Sequence, residues 1–273
     1  MSFVRDDRYI GMTGLLQSKN AIIYGAGGGI GRGVATTFAR EGARLFLVGR
    51  TREALEATAA DVAAAGGEAH IATFDVLDEA AVDAHVADID SRFGGVDVSF
   101  NLITRGDVQG QALLELSTAD LTRPVTNGLT ATAITARAAA RRMVTRGSGA
   151  ILYLTSGSSA GLAPMMGGTG PADAAVETYM RYLAAEVGPS GVRVLGLWTA
   201  GVVETLTREK VSEVAGGGAP DPDVAIAMIA NAAMLRRAPR LADVAETAAY
   251  LASDRARGIT ATIVNVTSGL VSP

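Results

Sequence analysis

The sequence predicts a doubly wound α/β fold: a parallel sheet with helices on both faces. Two observations carry this expectation. Short apolar runs of β type alternate with Ala-rich stretches of helical periodicity along the chain, the pattern of parallel βαβ units joined by right-handed crossovers. The first such run also leads directly into a glycine cluster and then a helix, as at a phosphate-binding turn.

The strand-like runs are Asn20–Tyr24, Arg44–Val48, His70–Phe74, Val96–Phe100, Ala150–Leu154, Arg193–Trp198 and Thr262–Val266. Several are apolar at consecutive positions, as expected of strands covered on both faces. Helical periodicity falls on Gly31–Glu41, Arg52–Ala65, Glu79–Phe93, Leu129–Thr145, Ala172–Val187 and Leu241–Ser253. No repeat or linker divides the chain, so residues 19–273 read as one domain behind an N-terminal extension, residues 1–18. Residues 206–238 interrupt the alternation with a flexible piece, Gly216–Pro222, and an apolar helix, Val224–Leu235. Ligands of open α/β sheets bind at the carboxyl ends of the strands. This segment is therefore expected either to cover that edge as a lid or to pack as a peripheral helix.

Composition excludes several functions. The chain has 273 residues, 48% of them hydrophobic, enough for a substantial core and too many for intrinsic disorder. Lys+Arg 24 against Asp+Glu 28 gives a net charge of −4, which offers no basic field to nucleic acid or an anionic membrane. Zero Cys removes disulfides, thiolate nucleophiles and cysteine zinc sites. The two histidines, His70 and His85, have no metal-ligand spacing. No apolar run is long enough to span a bilayer and the N-terminus has no signal-peptide core, so a cytoplasmic location is expected.

The glycine cluster reads Tyr24-Gly25-Ala26-Gly27-Gly28-Gly29-Ile30-Gly31. Glycines there permit a tight turn and let a pyrophosphate approach the backbone, while the helix N-terminus offers free N–H groups and its dipole. The second strand ends at Val48-Gly49-Arg50. An acidic residue there would bind the ribose hydroxyls of NAD; Arg50 instead suits the 2′-phosphate of NADP, which is the expected cofactor ahead of NAD. Asp75-Val76 closes the third strand, where the Asp side chain is placed for an adenine amino group.

Over about residues 15–270 the sequence resembles the short-chain dehydrogenase/reductase family. Gly25-x-x-x-Gly29-Ile30-Gly31 is similar to its TGxxxGIG turn, with Tyr24 in place of Thr, and Asp75-Val76 to its adenine-contacting pair. Arg240–Asp254 followed by Ile259-Thr260 resembles the family's C-terminal helix and entry to the last strand, and Arg193-Val194 its RVN strand. The resemblance implies a Rossmann-type doubly wound parallel sheet, a small-molecule substrate and assembly as a homodimer or homotetramer. It also implies cofactor contacts from Asn101, in Asn101-Leu102-Ile103-Thr104, and from Val202, after Thr199-Ala200-Gly201.

The family works with Asn, Ser, Tyr and Lys, the last two spaced YxxxK. Asn127 and Ser156 fall at the first two positions; 13 residues beyond Ser156 stands Thr169, and four further stands Asp173, in the Tyr and Lys positions. The only lysines are Lys19 and Lys210, so no shift of alignment restores the motif. A Thr hydroxyl is a far weaker acid than a phenol, and a carboxylate beside an acid raises its pKa where an ammonium lowers it. Carbonyl reduction by the family mechanism is therefore expected to be impaired. Asp173 has two readings: acceptor for ribose hydroxyls, favouring oxidised nicotinamide, or a first-turn acid in a helix capped by Thr169 or Gly170 with Pro171 at its first position. Glu177 shares the Asp173 face, a pair read as a solvated helix surface ahead of an acid/base couple. Tyr179 and Tyr153 are poorly aimed to substitute. Gly157-Ser158-Ser159-Ala160-Gly161 spells a hydrolase elbow, but no histidine follows His85 to complete a triad.

Three functions stay open. The first is an NADP-linked oxidoreductase on an apolar substrate, suited to conjugated C=C or imine reduction, which asks less of a protein acid. The others are a non-redox catalyst such as a cyclase or isomerase, and a non-catalytic nucleotide-sensing or partner subunit.

Overall fold

The computed structural model describes residues 14–161, 163–215 and 219–272. Residues 1–13 of the expected extension and Gly216–Gly218 of the expected flexible piece lie outside the described residues.

Seven strands form one parallel sheet: β1 (Asn20–Tyr24), β2 (Arg44–Gly49), β3 (Glu68–Thr73), β4 (Val98–Asn101), β5 (Gly149–Thr155), β6 (Val192–Trp198) and β7 (Thr262–Asn265). The order is β3-β2-β1-β4-β5-β6-β7. The chain builds outward from β1 to β3, then crosses back to place β4 on the other side of β1. This reversal leaves a crevice at the carboxyl ends of β1 and β4, because the loops there depart in opposite directions.

The linking helices are α1 (Gly29–Arg40), α2 (Arg52–Ala64), α3 (Glu79–Phe93), α4 (Thr118–Arg146), α5 (Thr169–Val187), α6 (Arg208–Ala215), α7 (Pro222–Ala232) and α8 (Leu241–Ala252). Successive strand residues point to opposite faces, so each strand feeds two apolar layers. Ile23, Leu47 and Phe100 pack with Val34 and Phe38 of α1 and Ala248 of α8. Ile22, Phe46 and Tyr153 pack on the other face with Val86 of α3, Met143 of α4 and Met180 of α5.

Element boundaries differ from expectation at three places near the crevice. α4 begins at Thr118, not Leu129: Ser117 caps it, its Oγ accepting the Asp120 N–H at 3.1 Å. The helix continues through Pro124 and Gly128, both buried. α5 begins at Thr169 behind Gly168, so Pro171 is its third residue. α7 ends at Ala232 because Ala233 turns extended; Leu235 N–H then donates to Ser268 O at 3.1 Å, drawing this stretch to the chain's end.

His85, on α3, lies edge-on to Phe74 with ring centroids 5.4 Å apart, and its Nε2 is buried without a partner among the described residues. Burial holds its pKa below 6.5, with Asp88 opposing weakly. The unfolded chain thus takes up a proton that the folded ring refuses, so His85 favours folding above pH about 6.5 and loses that contribution as pH falls. His85→Phe is expected to flatten the decline of Tm between about pH 7 and pH 5. Parallel Tm profiles for the variant and parent would contradict it.

Candidate functional site

The glycine turn lies at the crevice. Gly25 has φ +81°, and a Cβ on it would stand 2.5 Å from Leu102 O; a Cβ on Gly31 would stand 2.3 Å from Gly25 O. Both positions therefore require glycine. Gly28 caps α1 without a side-chain hydrogen bond, and α1 has no acidic residue in its first turn. Its N-terminal N–H groups and positive dipole are left for an anion.

A groove of about 240 Å³ crosses the strand ends in sheet order, from Asp75 and Val76 after β3 and Arg50 after β2, past Gly25 and Gly28, to Thr104 and Asn127. Arg50 is exposed, with no hydrogen bond or ion pair among the described residues. Asp75 is oriented by the Leu77 N–H, which donates to its Oδ1 at 3.0 Å. Asn101 is buried beneath the groove; its Oδ1 accepts the Ile103 N–H at 3.1 Å and its Nδ2 donates to Thr132 Oγ1 at 3.2 Å, fixing the backbone of Leu102–Thr104. Ile30 anchors α1 in the first apolar layer. Val202 is also buried, and its carbonyl accepts the Thr205 N–H at 2.9 Å. Thr205 in turn covers Gly29, where a Cβ would stand 2.8 Å from its Cγ2. An anionic dinucleotide fits this donor set: an open helix N-terminus, a turn without side chains and an uncompensated cation.

Deeper in, Asp173 has no exposed surface. Its Oδ2 accepts Ser156 Oγ at 2.6 Å, Ser156 N at 3.0 Å and Ser158 N at 3.2 Å. Its Oδ1 accepts Arg105 Nη1 at 2.6 Å. Ser156 gives its hydrogen to Asp173, so Ser158 Oγ, 2.7 Å away, donates to Ser156 Oγ. Asp107 takes the other edge of the guanidinium, Nη2 at 3.0 Å and Nε at 3.3 Å. Burial alone lowers the Arg105 pKa, but Asp107 and Asp173 reverse this and hold it above its ordinary value. Asn127 Nδ2 donates to Arg105 O at 3.2 Å, and Gln109 Nε2 donates to the buried Thr169 Oγ1 at 3.0 Å.

Ser156 and Asp173 are thus bonded directly, while Asn127 and Thr169 join them through the loop after β4. Two expectations are corrected. Asp173 is the fifth residue of α5, beyond the first turn, and its oxygens are already engaged. The Asp173–Glu177 face is buried, not solvated. Glu177 Oε1 accepts Thr155 Oγ1 and Trp198 Nε1, each at 2.8 Å, and Oε2 accepts Ser159 Oγ at 2.8 Å. The serine at the centre of the hydrolase-like pattern therefore donates into a buried carboxylate. Burial, then Glu177, pushes the Tyr153 phenol well above its ordinary range, and burial also raises Tyr179.

Sequence reasoning missed Arg105, Asp107 and Gln109. One signal pointed to Arg105, a helix-face Asp in a chain almost without lysine; the other, Gly128 inside α4, shows only in the structure. A Cβ on Gly128 would lie 2.6 Å from Arg105 Cδ.

Fold and groove together define a Rossmann-type doubly wound α/β protein with its cleft at the carboxyl ends of the strands. A family model described as enoyl-(acyl carrier protein) reductase matches residues 25–271. The chain is similar to enoyl-[acyl-carrier-protein] reductase [NADH] 2 of Rhizobium meliloti, 34% identical over 94% of this chain and 93% of that protein. It is 31% identical to the short-chain reductase protein NovJ of Streptomyces niveus over 93% of this chain and 94% of the relative. Among solved structures, levodione reductase superposes with a TM-score of 0.84 at 26% identity, covering 93% of this chain and 98% of the other. The chain belongs to the short-chain dehydrogenase/reductase family.

Removing one member of a buried ion pair leaves the other uncompensated, at a cost of about 3–5 kcal/mol. Arg105→Met and Asp173→Asn are each expected to destabilise strongly, and the double variant by clearly less than their sum, in denaturant unfolding. Additive losses would contradict a coupled pair.

Proposed function

We propose that the chain is an NADP(H)-dependent oxidoreductase of a small, apolar substrate, working with Thr169 and Asp173 in the family's Tyr and Lys positions. The observation that carries the cofactor assignment is Arg50: an exposed guanidinium at the end of β2, beside the groove, without an acidic partner among the described residues. Gly25, Gly29, Ile30 and Gly31 shape the pyrophosphate turn, Asp75 and Val76 face the adenine, and Asn101 and Val202 support the backbone around them.

When bound, reduced nicotinamide supplies a hydride. The chain's part is to bind, orient and exclude water, with Ser156 and Asn127 as the polar groups nearest the reacting region. The Tyr153 and Tyr179 pKa values are raised and Thr169 is a poor acid, which favours a reaction needing no strong protein acid. Reduction of a conjugated C=C bond or an imine is of that kind, and the Rhizobium meliloti relative is named as an enoyl reductase. α6 and α7, within residues 206–238, contain no buried residue and expose Val224 and Met228, supporting an apolar lid. Assembly as a homodimer or homotetramer in the cytoplasm belongs to the same proposal; no described helix is long and apolar enough to cross a membrane.

A second reading, a nucleotide-sensing subunit without hydride transfer, is supported by the saturation of Asp173 and Ser156 with internal hydrogen bonds. Nucleotide binding without turnover of any enone, enoyl thioester, imine or ketone would favour it.

Charged hydrogen bonds contribute about 1.5–3 kcal/mol, roughly a 10- to 100-fold change in affinity. Arg50→Ala is therefore expected to weaken NADPH binding by about that factor and leave NADH within about twofold, by calorimetric titration. Equal loss for both nucleotides would remove the NADP assignment.

A further inference from the structure

A nicotinamide dinucleotide has two nucleoside arms joined by a pyrophosphate. With the pyrophosphate at the glycine turn and the adenosine arm between Arg50 and Asp75, the other arm runs toward Thr104 and Asn127. The next residues along those two segments are Arg105 and Gly128.

A guanidinium carries five N–H donors. In Arg105, Nε and one hydrogen of Nη2 serve Asp107, and one hydrogen of Nη1 serves Asp173. One hydrogen on each terminal nitrogen is left, with no acceptor among the described residues. The side chain is only 15% exposed, and an unpaired donor at that depth is costly. Arg105 also borders a cavity of about 20 Å³, shared with Asn101, Thr132 and Tyr153. Three features place the group: Gly128 leaves room for its stem, Asn127 holds its carbonyl, and two carboxylates fix the plane of its fork.

We propose that Arg105 holds the inner, nicotinamide-side arm of the dinucleotide, its two unused N–H groups donating to ribose hydroxyl oxygens. The inference rests on the nucleotide reading above. On it, the site's cation comes from the loop between β4 and α4, because α5 carries the opposite charge, Asp173, in the position facing it. Arg105 is then a binding and positioning residue, and Asp107 and Asp173 aim it.

The test compares whole nucleotides with their adenosine halves by calorimetric titration: NADPH against 2′,5′-ADP, and NADH against AMP. The variant is Arg105→Met with Asp173→Asn, which removes the fully buried carboxylate together with its cation and leaves the partly exposed Asp107 as the one charge without its partner; thermal unfolding of the variant is measured alongside. This double variant is expected to bind the half-nucleotides like the parent and the whole nucleotides about tenfold or more weakly. Arg105→Lys, which keeps a cation opposite Asp173, is expected to fall between the two. Unchanged affinity of the double variant for whole nucleotides overturns the inference while leaving the cofactor reading intact. Equal loss for whole and half nucleotides also overturns it, since it marks a general disturbance of the groove. A parent chain that binds neither NADPH nor NADH overturns the cofactor reading itself, and this inference with it.

Discussion

Asp173 is a carboxylate with no exposed surface, and the cation it requires comes from a different element of the fold. The architecture around the crevice follows from that requirement. Arg105 must cross from the end of β4 to α5, so α4 must lack a side chain at position 128. The same carboxylate gathers Ser156 and Ser158 from the loop after β5, so one residue ties two loops and a helix together. A buried pair of this kind gives little net stability over an apolar substitute; its effect is positional. It fixes where the loop after β4 runs and where a positive charge stands.

That loop also connects the two halves of the site. Leu102 and Thr104 line the groove, and the next residue, Arg105, carries the ion pair. Asn101 braces the same stretch from below. The groove and the buried charges are thus separated by a single peptide unit. Glu177 performs the corresponding task one turn along α5, joining β5 and β6 through Thr155 and Trp198.

The sheet was legible because its inner strands, β1, β2, β4, β5 and β6, are covered on both faces and so announce themselves as apolar runs. The glycine turn was legible because the need for glycine is local, set by Gly25 and Gly31 against nearby backbone. The start of α4 was not, since Pro124 and Gly128 read as breakers unless the packing that demands them is known. Asp173 and Glu177 read as a solvated face because two acids four apart normally seek water. Their partners, Arg105, Ser156, Thr155 and Trp198, come from elsewhere in the chain and meet only after the sheet closes. Cofactor-side features were therefore local in sequence, while the charge balance of the inner site was not.

The most direct measurement is a crystal structure with NADPH bound. The 2′-phosphate is expected beside Arg50 and the nicotinamide-side ribose within hydrogen-bonding distance of Arg105, with the Arg105–Asp173 pair intact. A nucleotide ordered in the groove with its inner ribose held by other residues and Arg105 untouched would contradict it.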